Sequence, residues 1–436
     1  MENIDKTIHI STKKGVLALS PLIAFLFIYV GLSVFVGDFY KVPLSIAFIV
    51  ATLWGILSTR VVSLSEKIRI ISKGAANEDV IYMIWIFILA GAFAMLAQRI
   101  GATDSTVNFT IKVLPAGYLM PGLFIAACFI SMAVGTSVGT VVALTPVAVG
   151  VATGIGASVP MFVAVVVGGS FFGDNLSFIS DTTIASTRSQ GCAIRDKFNV
   201  NIGLTLPAAL GILIIYFIIG DSASTPIGDF NYSWQLMVPY ILVIVLAIVG
   251  MNVLAVLVVG ILSAIIVGLI YSDFGVMSML GFMGEGIDSM GNLIIVTLLA
   301  SGMLALIQYN GGIQFLLQRM STGIKGPRGA QAMISLLVVI VNMCTANNTI
   351  AIITVGSLAR NISERYKLDS RKTASLLDTC SCFAQCLIPY GAQVLMAASL
   401  AGISTMAIIQ YLYYPIALGV IVALSIVFQF PRRFNR

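Results

Sequence analysis

Apolar stretches of about 17 to 25 residues recur from residue 16 to residue 430, and they leave the chain few folds to choose from. A stretch of that length matches the roughly 30 Å hydrocarbon core of a bilayer when it is helical. Inside that core every backbone polar group must be satisfied within the protein, which a helix does on its own. Spans are expected near 16–36, 42–59, 80–98, 159–187, 200–220, 235–250, 251–271, 292–308, 373–401 and 407–430. Only 10% of the 436 residues are charged and 58% are hydrophobic, whereas soluble domains carry about 25% charged residues. The chain therefore reads as an all-α polytopic membrane protein. No polar segment is large enough for a soluble catalytic domain, so neither an enzyme nor a cofactor is expected. No GxxxxGK[ST] loop occurs, which argues against an ATP-driven pump. The net charge of +6 fits basic cytoplasmic loops better than nucleic-acid binding.

Two apolar regions, 119–155 and 329–359, are too long for one ordinary helix. Polar and small residues interrupt them at Gly135-Thr136-Ser137-Val138-Gly139-Thr140 and at Thr345-Ala346-Asn347-Asn348-Thr349. The Lys/Arg-rich loops are 60–73, 188–197, 319–328 and 360–372, and 221–234 and 272–291 have acids but no bases. Basic short loops stay in the cytoplasm. All of them do so only if each interrupted region goes in and comes back, as a hairpin or as two short spans. Hairpins are favoured, with polar tips near the midplane, where irregular backbone is tolerated if it lines a cavity. Both termini are then cytoplasmic, which suits a bacterial inner membrane.

Residues 81–191 and 292–402 share one plan: span, polar connector, interrupted pair, then a long helix with a polar break. Phe172-Gly173-Asp174-Asn175-Leu176 falls opposite Phe383-Ala384-Gln385-Cys386-Leu387. With the two copies starting on opposite sides, this is an inverted-topology repeat of about ten spans plus two hairpin-like segments. Such repeats hold their transport site at the midplane, on broken helices. The divisions are a tail over 1–15, a first repeat over 16–220, an external loop over 221–234, a second repeat over 235–430 and a tail over 431–436.

Asp174 and Asp181 lie within apolar sequence, where an acid costs roughly 2.5 to 3.5 kcal/mol on insertion scales. Such an acid is kept for a cavity, an ion or a proton path. Around them, Gly173-Asp174-Asn175-Leu176-Ser177 should unwind the helix, because short polar side chains compete for backbone groups, and freed carbonyls would join the ligands of a cation. The expected Na+/H+ site is Asp174, Asn175, Ser177, Asp181 and Thr182. Thr136, Ser137, Asn347, Asn348, Thr349, Asp378, Gln385 and Tyr390 are the expected substrate-facing groups. Asp378, about one turn beyond Lys372, is expected near the membrane surface. The six cysteines read as small packing residues.

Gly173-Asp174-Asn175-Leu176-Ser177-Phe178-Ile179-Ser180-Asp181-Thr182-Thr183 closely resembles the GDNLSPISDTT signature of the NhaC-type sodium/proton antiporter family. Ala185-Ser186-Thr187, Gly191-Cys192 and the upstream Gly135-Thr136-Ser137 fit as well. The resemblance implies the ion transporter superfamily, with inverted repeats, hairpins, an elevator-like motion and a homodimer. Two departures stand out: Phe178 replaces the signature's proline, and Pro389-Tyr390-Gly391 replaces a Pro-Trp-Asn type of element. The chain looks like a compact, amino-acid-transporter-like branch.

The leading expectation is exchange of Na+ for H+ by alternating access, with Na+ as cargo or coupling ion. The alternative is Na+- or H+-coupled transport of an amino acid or small organic anion.

Overall fold

The computed structural model describes residues 11–36, 42–60, 62–178, 180–221, 230–320 and 325–431. Residues 1–10 and 432–436 of the expected tails and 222–229 of the external loop, including Asp229, lie outside these residues, and the end of the first expected tail is already helical from Thr12. All regular structure among the described residues is helical. The first half runs α1 Thr12–Leu26, α2 Leu32–Val36, α3 Leu44–Ser58, α4 Leu64–Ala75, α5 Glu78–Arg99, α6 Ala102–Val113, α7 Ala116–Val134, α8 Ser137–Gly154, α9 Val159–Leu176, α10 Asp181–Gln190 and α11 Ile194–Asp221. The second half runs α12 Trp234–Ile248, α13 Val253–Tyr271, α14 Val276–Ser289, α15 Gly291–Tyr309, α16 Gly312–Met320, α17 Gly326–Thr345, α18 Asn348–Arg365, α19 Ser370–Leu387, α20 Ala392–Ala401, α21 Thr405–Ile409 and α22 Tyr413–Phe428. Ten helical stretches among the described residues are long and apolar enough to cross a membrane, and α3, α12 and α22 are shorter apolar helices.

The two halves keep a constant register. The bounds of α8, α9 and α10 recur in α18, α19 and α20 with every residue number raised by 211. The starts of α11 and α21 differ by the same amount. Packing is reciprocal as well: α10 lies on α18 while α20 lies on α8, and α5 lies on α14 while α15 lies on α4. The basic segment 60–73 and the acidic segment 272–291, expected as loops, are largely the helices α4 and α14. Ser63 starts α4 by accepting a hydrogen bond from the Glu66 N–H at 3.3 Å, and Glu66 and Lys73 sit at the helix ends that suit their charges.

Each interrupted region is a helical hairpin, α7–α8 or α17–α18, with arms of 18 to 20 residues. At 1.5 Å per residue such an arm runs about 27 to 30 Å, just enough to cross. Both tips use one turn. Gly135 (φ +73°) and Ala346 (φ +51°) are left-handed, and their N–H groups donate to Ser131 O at 2.9 Å and Asn342 O at 2.8 Å. Glycine meets that φ without a steric penalty, whereas alanine does not.

α9 and α19 form the buried centre. Val163 through Val167 of α9 are all fully buried. The Ser131 hydroxyl donates to the Ser170 carbonyl, and in the other half Asn342 Nδ2 donates to the Ser381 carbonyl at 2.7 Å. Gly173 lets α7 approach α9 here, because a Cβ would collide with Ser131 and the Met132 N–H.

Candidate functional site

α9 stops at Leu176 and α10 starts at Asp181, with Ser177 extended between them. Phe178 does not prevent the break, although the related signature has proline there. Its exposed ring stacks on Phe198 at 4.7 Å between centroids, and Ser180 sets the geometry. The Ser180 hydroxyl accepts from the Thr183 N–H at 3.2 Å, capping α10, and donates to the Asp174 carbonyl at 3.0 Å. The second break, between Leu387 and Ala392, contains Pro389 and Tyr390.

The first break, the two tips and the start of α20 line an open cavity of about 140 Å³. It is lined by Asp174, Asp181 and Thr182 from the first break, Thr136 and Ser137 from one tip, Asn347, Asn348 and Thr349 from the other, and Gln393. Asp174 is only 4% exposed. Asp181 is exposed, at the cavity's rim, and also lines an open groove with Arg188, Ser189 and Thr349. Each break and each tip brings one helix C-terminus and one helix N-terminus to this region, so carbonyl-rich and N–H-rich ends alternate around it. A relay of side chains crosses it: Gln385 Nε2 donates to Ala346 O at 3.0 Å and to Gln393 Oε1 at 3.2 Å, and Gln393 Nε2 donates to Ser137 Oγ at 2.9 Å. Ser137 in turn lies against the Asp174 carboxyl.

Several expected residues are placed elsewhere. Asn175 is buried with its Nδ2 donating to Phe171 O at 2.8 Å, back along its own helix. Ser177 is buried away from the cavity lining. Gln385 supports the lining from behind. Tyr390 donates to Met343 O at 2.6 Å and lines a neighbouring cavity of about 130 Å³ with Asn77, Thr297, Gln308 and Asn347. Asp378 does not line the cavity: it is fully buried within the protein, 2.7 Å from Lys197 Nζ. Lys372, expected to mark the membrane boundary near it, is itself buried and donates to Ser425 and to Phe430 O.

Lys197 and Asn201 are the functional candidates that the sequence hid. Lys197 sits among the bases of an expected cytoplasmic loop, yet its side chain is 1% exposed. Its Nζ also donates to Asn175 O at 2.9 Å and Thr183 Oγ1 at 2.6 Å. Asn201 Nδ2 donates to Asn175 O and to Asp378 Oδ2, both at 2.8 Å. The carbonyls freed at the break are thus taken by Lys197, Asn201 and Ser180. The only available signal was the i, i+4 spacing of Lys197 and Asn201 on one helix face.

The sequence profile of the Na+/H+ antiporter family matches residues 6–220 and 225–430. The chain belongs to that family. It is also similar to three transporters along most of their length. The arginine/ornithine antiporter ArcD of Halobacterium salinarum is 22% identical over 85% of either chain. The Na+/H+ antiporter NhaC of Bacillus subtilis is 22% identical over 82% of this chain and 84% of its own. The malate-2H+/Na+-lactate antiporter of the same organism is 19% identical over 80% and 81%. In this chain the buried Asp174 and its cavity lie beside the break that follows the Gly173–Ser177 element.

Proposed function

We propose that this family member exchanges Na+ for H+ by alternating access, with Asp174 binding the two ions in turn. A carboxylate in a low-dielectric interior is tolerated when it is neutralised, either by a proton or by a cation. The two therefore compete for one group, and competition at one site is sufficient for exchange. The observation that carries this is the pairing of a buried Asp174 with a cavity of about 140 Å³. That volume suits an ion with a few waters; pockets for drug-sized organic ligands run from about 300 Å³ upward. Ser137, Asp181, Thr182, Asn347 and Asn348 supply further oxygens around it.

The 211-residue register and the reciprocal packing support an inverted repeat, with α7–α10 and α17–α20 as its moving core. Asp181 joins the cavity to the groove that carries Arg188. By the positive-inside rule that groove faces the cytoplasm, so this conformation is open inward. The same rule supports cytoplasmic termini and a bacterial inner membrane.

Reconstitution into liposomes with an imposed pH gradient tests the exchange. Na+ alone, without any organic solute, should collapse the gradient. The second reading is coupled transport of an amino acid or organic acid. It is favoured by the neighbouring cavity at Tyr390, which shares Met83 and Asn347 with the Asp174 cavity, and by the organic cargoes of two relatives. A gradient that resists Na+ but collapses with arginine or malate would replace the first reading by the second.

A further inference from the structure

The Lys197–Asp378 pair has no equivalent in the opposite repeat. Shifted by 211 residues, Asp378 corresponds to Val167 and Lys197 to Ile408, and both aliphatic residues are fully buried. α21, which holds Ile408, packs on α9, which holds Val167, just as α11 packs on α19. One fold position is thus filled by aliphatic side chains in one half and by an ion pair in the other. Buried ion pairs can often be replaced by well-packed apolar residues without loss of stability. Packing alone therefore does not call for a lysine and an aspartate here.

What surrounds the ammonium resembles a metal-ion shell. Its contacts are a carboxylate oxygen of Asp378 at 2.7 Å, the Thr183 hydroxyl at 2.6 Å and the Asn175 carbonyl at 2.9 Å. Carboxylate, hydroxyl and carbonyl oxygens are the ligands that hard cations take. An ammonium has three N–H donors, and these three contacts use them. Two more oxygens lie on side chains of this network, Asp378 Oδ1 and the Oδ1 of Asn201, whose Nδ2 donates to Asn175 O and Asp378 Oδ2, and both are buried without a hydrogen-bond partner. Buried acceptors are ordinarily paired, so this cluster offers more oxygen than the lysine engages.

We propose that the Lys197 ammonium is a tethered cation seated in a second Na+ site, built from Asp378, Thr183 and the Asn175 carbonyl. Removing it opens that site to a free ion. In the natural chain the lysine holds the number of exchangeable cation sites at one, a count that rests on the role proposed for Asp174. The second site rests only on the contacts around Lys197.

Equilibrium binding of radioactive Na+ to the purified full-length chain tests both parts separately. Lys197→Ala should bind one more Na+ per chain than the natural protein. Lys197→Ala with Asp378→Asn should lose that extra ion. Lys197→Ala with Asp174→Asn should keep it, whether or not Asp174→Asn alone abolishes Na+ binding. Loss of the role given to Asp174 is thereby told apart from loss of this proposal. Because Lys197→Ala leaves Asp378 unpaired, thermal unfolding is followed in rising Na+. Its midpoint should climb more steeply with Na+ than that of the natural chain, while Lys197→Ile with Asp378→Val, which copies the opposite repeat, should show no extra climb. A Lys197→Ala chain that binds no additional Na+, or that Na+ fails to rescue while the Ile/Val double variant folds, overturns the proposal.

Discussion

In the first half, Asp174 closes α9 at the wall of the cavity; 211 residues later, Gln385 occupies the same turn of α19 and is tied to Ala346 and Gln393. The backbone around the two is nearly the same: a hairpin tip with a left-handed residue, a buried helix, a break and a short helix that ends on a left-handed glycine. The charge is not. One break is flanked by a carboxylate, and the other by an amide whose nitrogen donates within the protein. Deeper in, the asymmetry is repeated, with Lys197 and Asp378 where the positions 211 residues away hold Ile408 and Val167. Two segments of matching register thus each provide a break, and the side chains at them differ in charge.

Substitutions at matched positions sharpen that contrast. The largest effect is expected at the two breaks. Asp174→Asn should lower Na+-driven proton flux by roughly two orders of magnitude or more, equivalent to about 3 kcal/mol. Gln385→Ala should cost about 1 kcal/mol of stability, the usual worth of a hydrogen bond, and leave flux within about tenfold. Equal losses of flux at the two positions would break the comparison.

Next come the buried pairs. Asp378→Ala strands Lys197 and should destabilise the chain by about 3 to 5 kcal/mol, measured by thermal unfolding in detergent. Val167→Ala, in the aliphatic counterpart, should cost only about 2 kcal/mol or less. The tips follow. Ala346→Gly should stabilise by about 0.5 to 1 kcal/mol by relieving a left-handed alanine, and Gly135→Ala should destabilise by about 1 to 2 kcal/mol.

The smallest effect is expected at the starts of α9 and α19. Asp369 caps α19 by accepting from the Arg371 N–H at 2.9 Å, whereas Ser158 makes no such bond at α9. Asp369→Ala should cost about 1 kcal/mol and Ser158→Ala a few tenths. Partial burial raises the Asp369 carboxyl, but the Arg371 guanidinium and backbone N–H outweigh it and hold the group below its ordinary value. With a folded value below the unfolded one, its contribution is present above the ordinary carboxylate range near pH 4 and is lost as pH falls through the depressed value.

Much of this architecture is legible in the sequence because it follows from hydropathy and from a few helix breakers. The spans, the two interrupted regions, a break just after Asp174 and the register joining Asp174 to Gln385 all come from patterns within single segments, but the expected unwinding at Gly173–Ser177 falls later: α9 stays helical through Leu176 and the chain breaks between Ser177 and Ser180. Contacts between segments leave no such pattern. Lys197 follows Arg188 and Arg195, so it reads as one more loop base. In the fold, α11 begins at Ile194 and Lys197 already points inward. Asp378 follows Lys372, and both are buried within the protein by contacts with other segments. Asn175 and Ser177 carry the right oxygens but do not line the cavity, and which side chains of a helix end reach a cavity depends on contacts between segments.

The most direct test is Na+-driven proton movement in proteoliposomes containing Asp174→Asn that inserts and purifies like the natural chain. Flux at the level of protein-free liposomes is expected, since the amide can take neither ion's place. Flux near that of the natural chain would show that Na+ and H+ meet elsewhere in the protein.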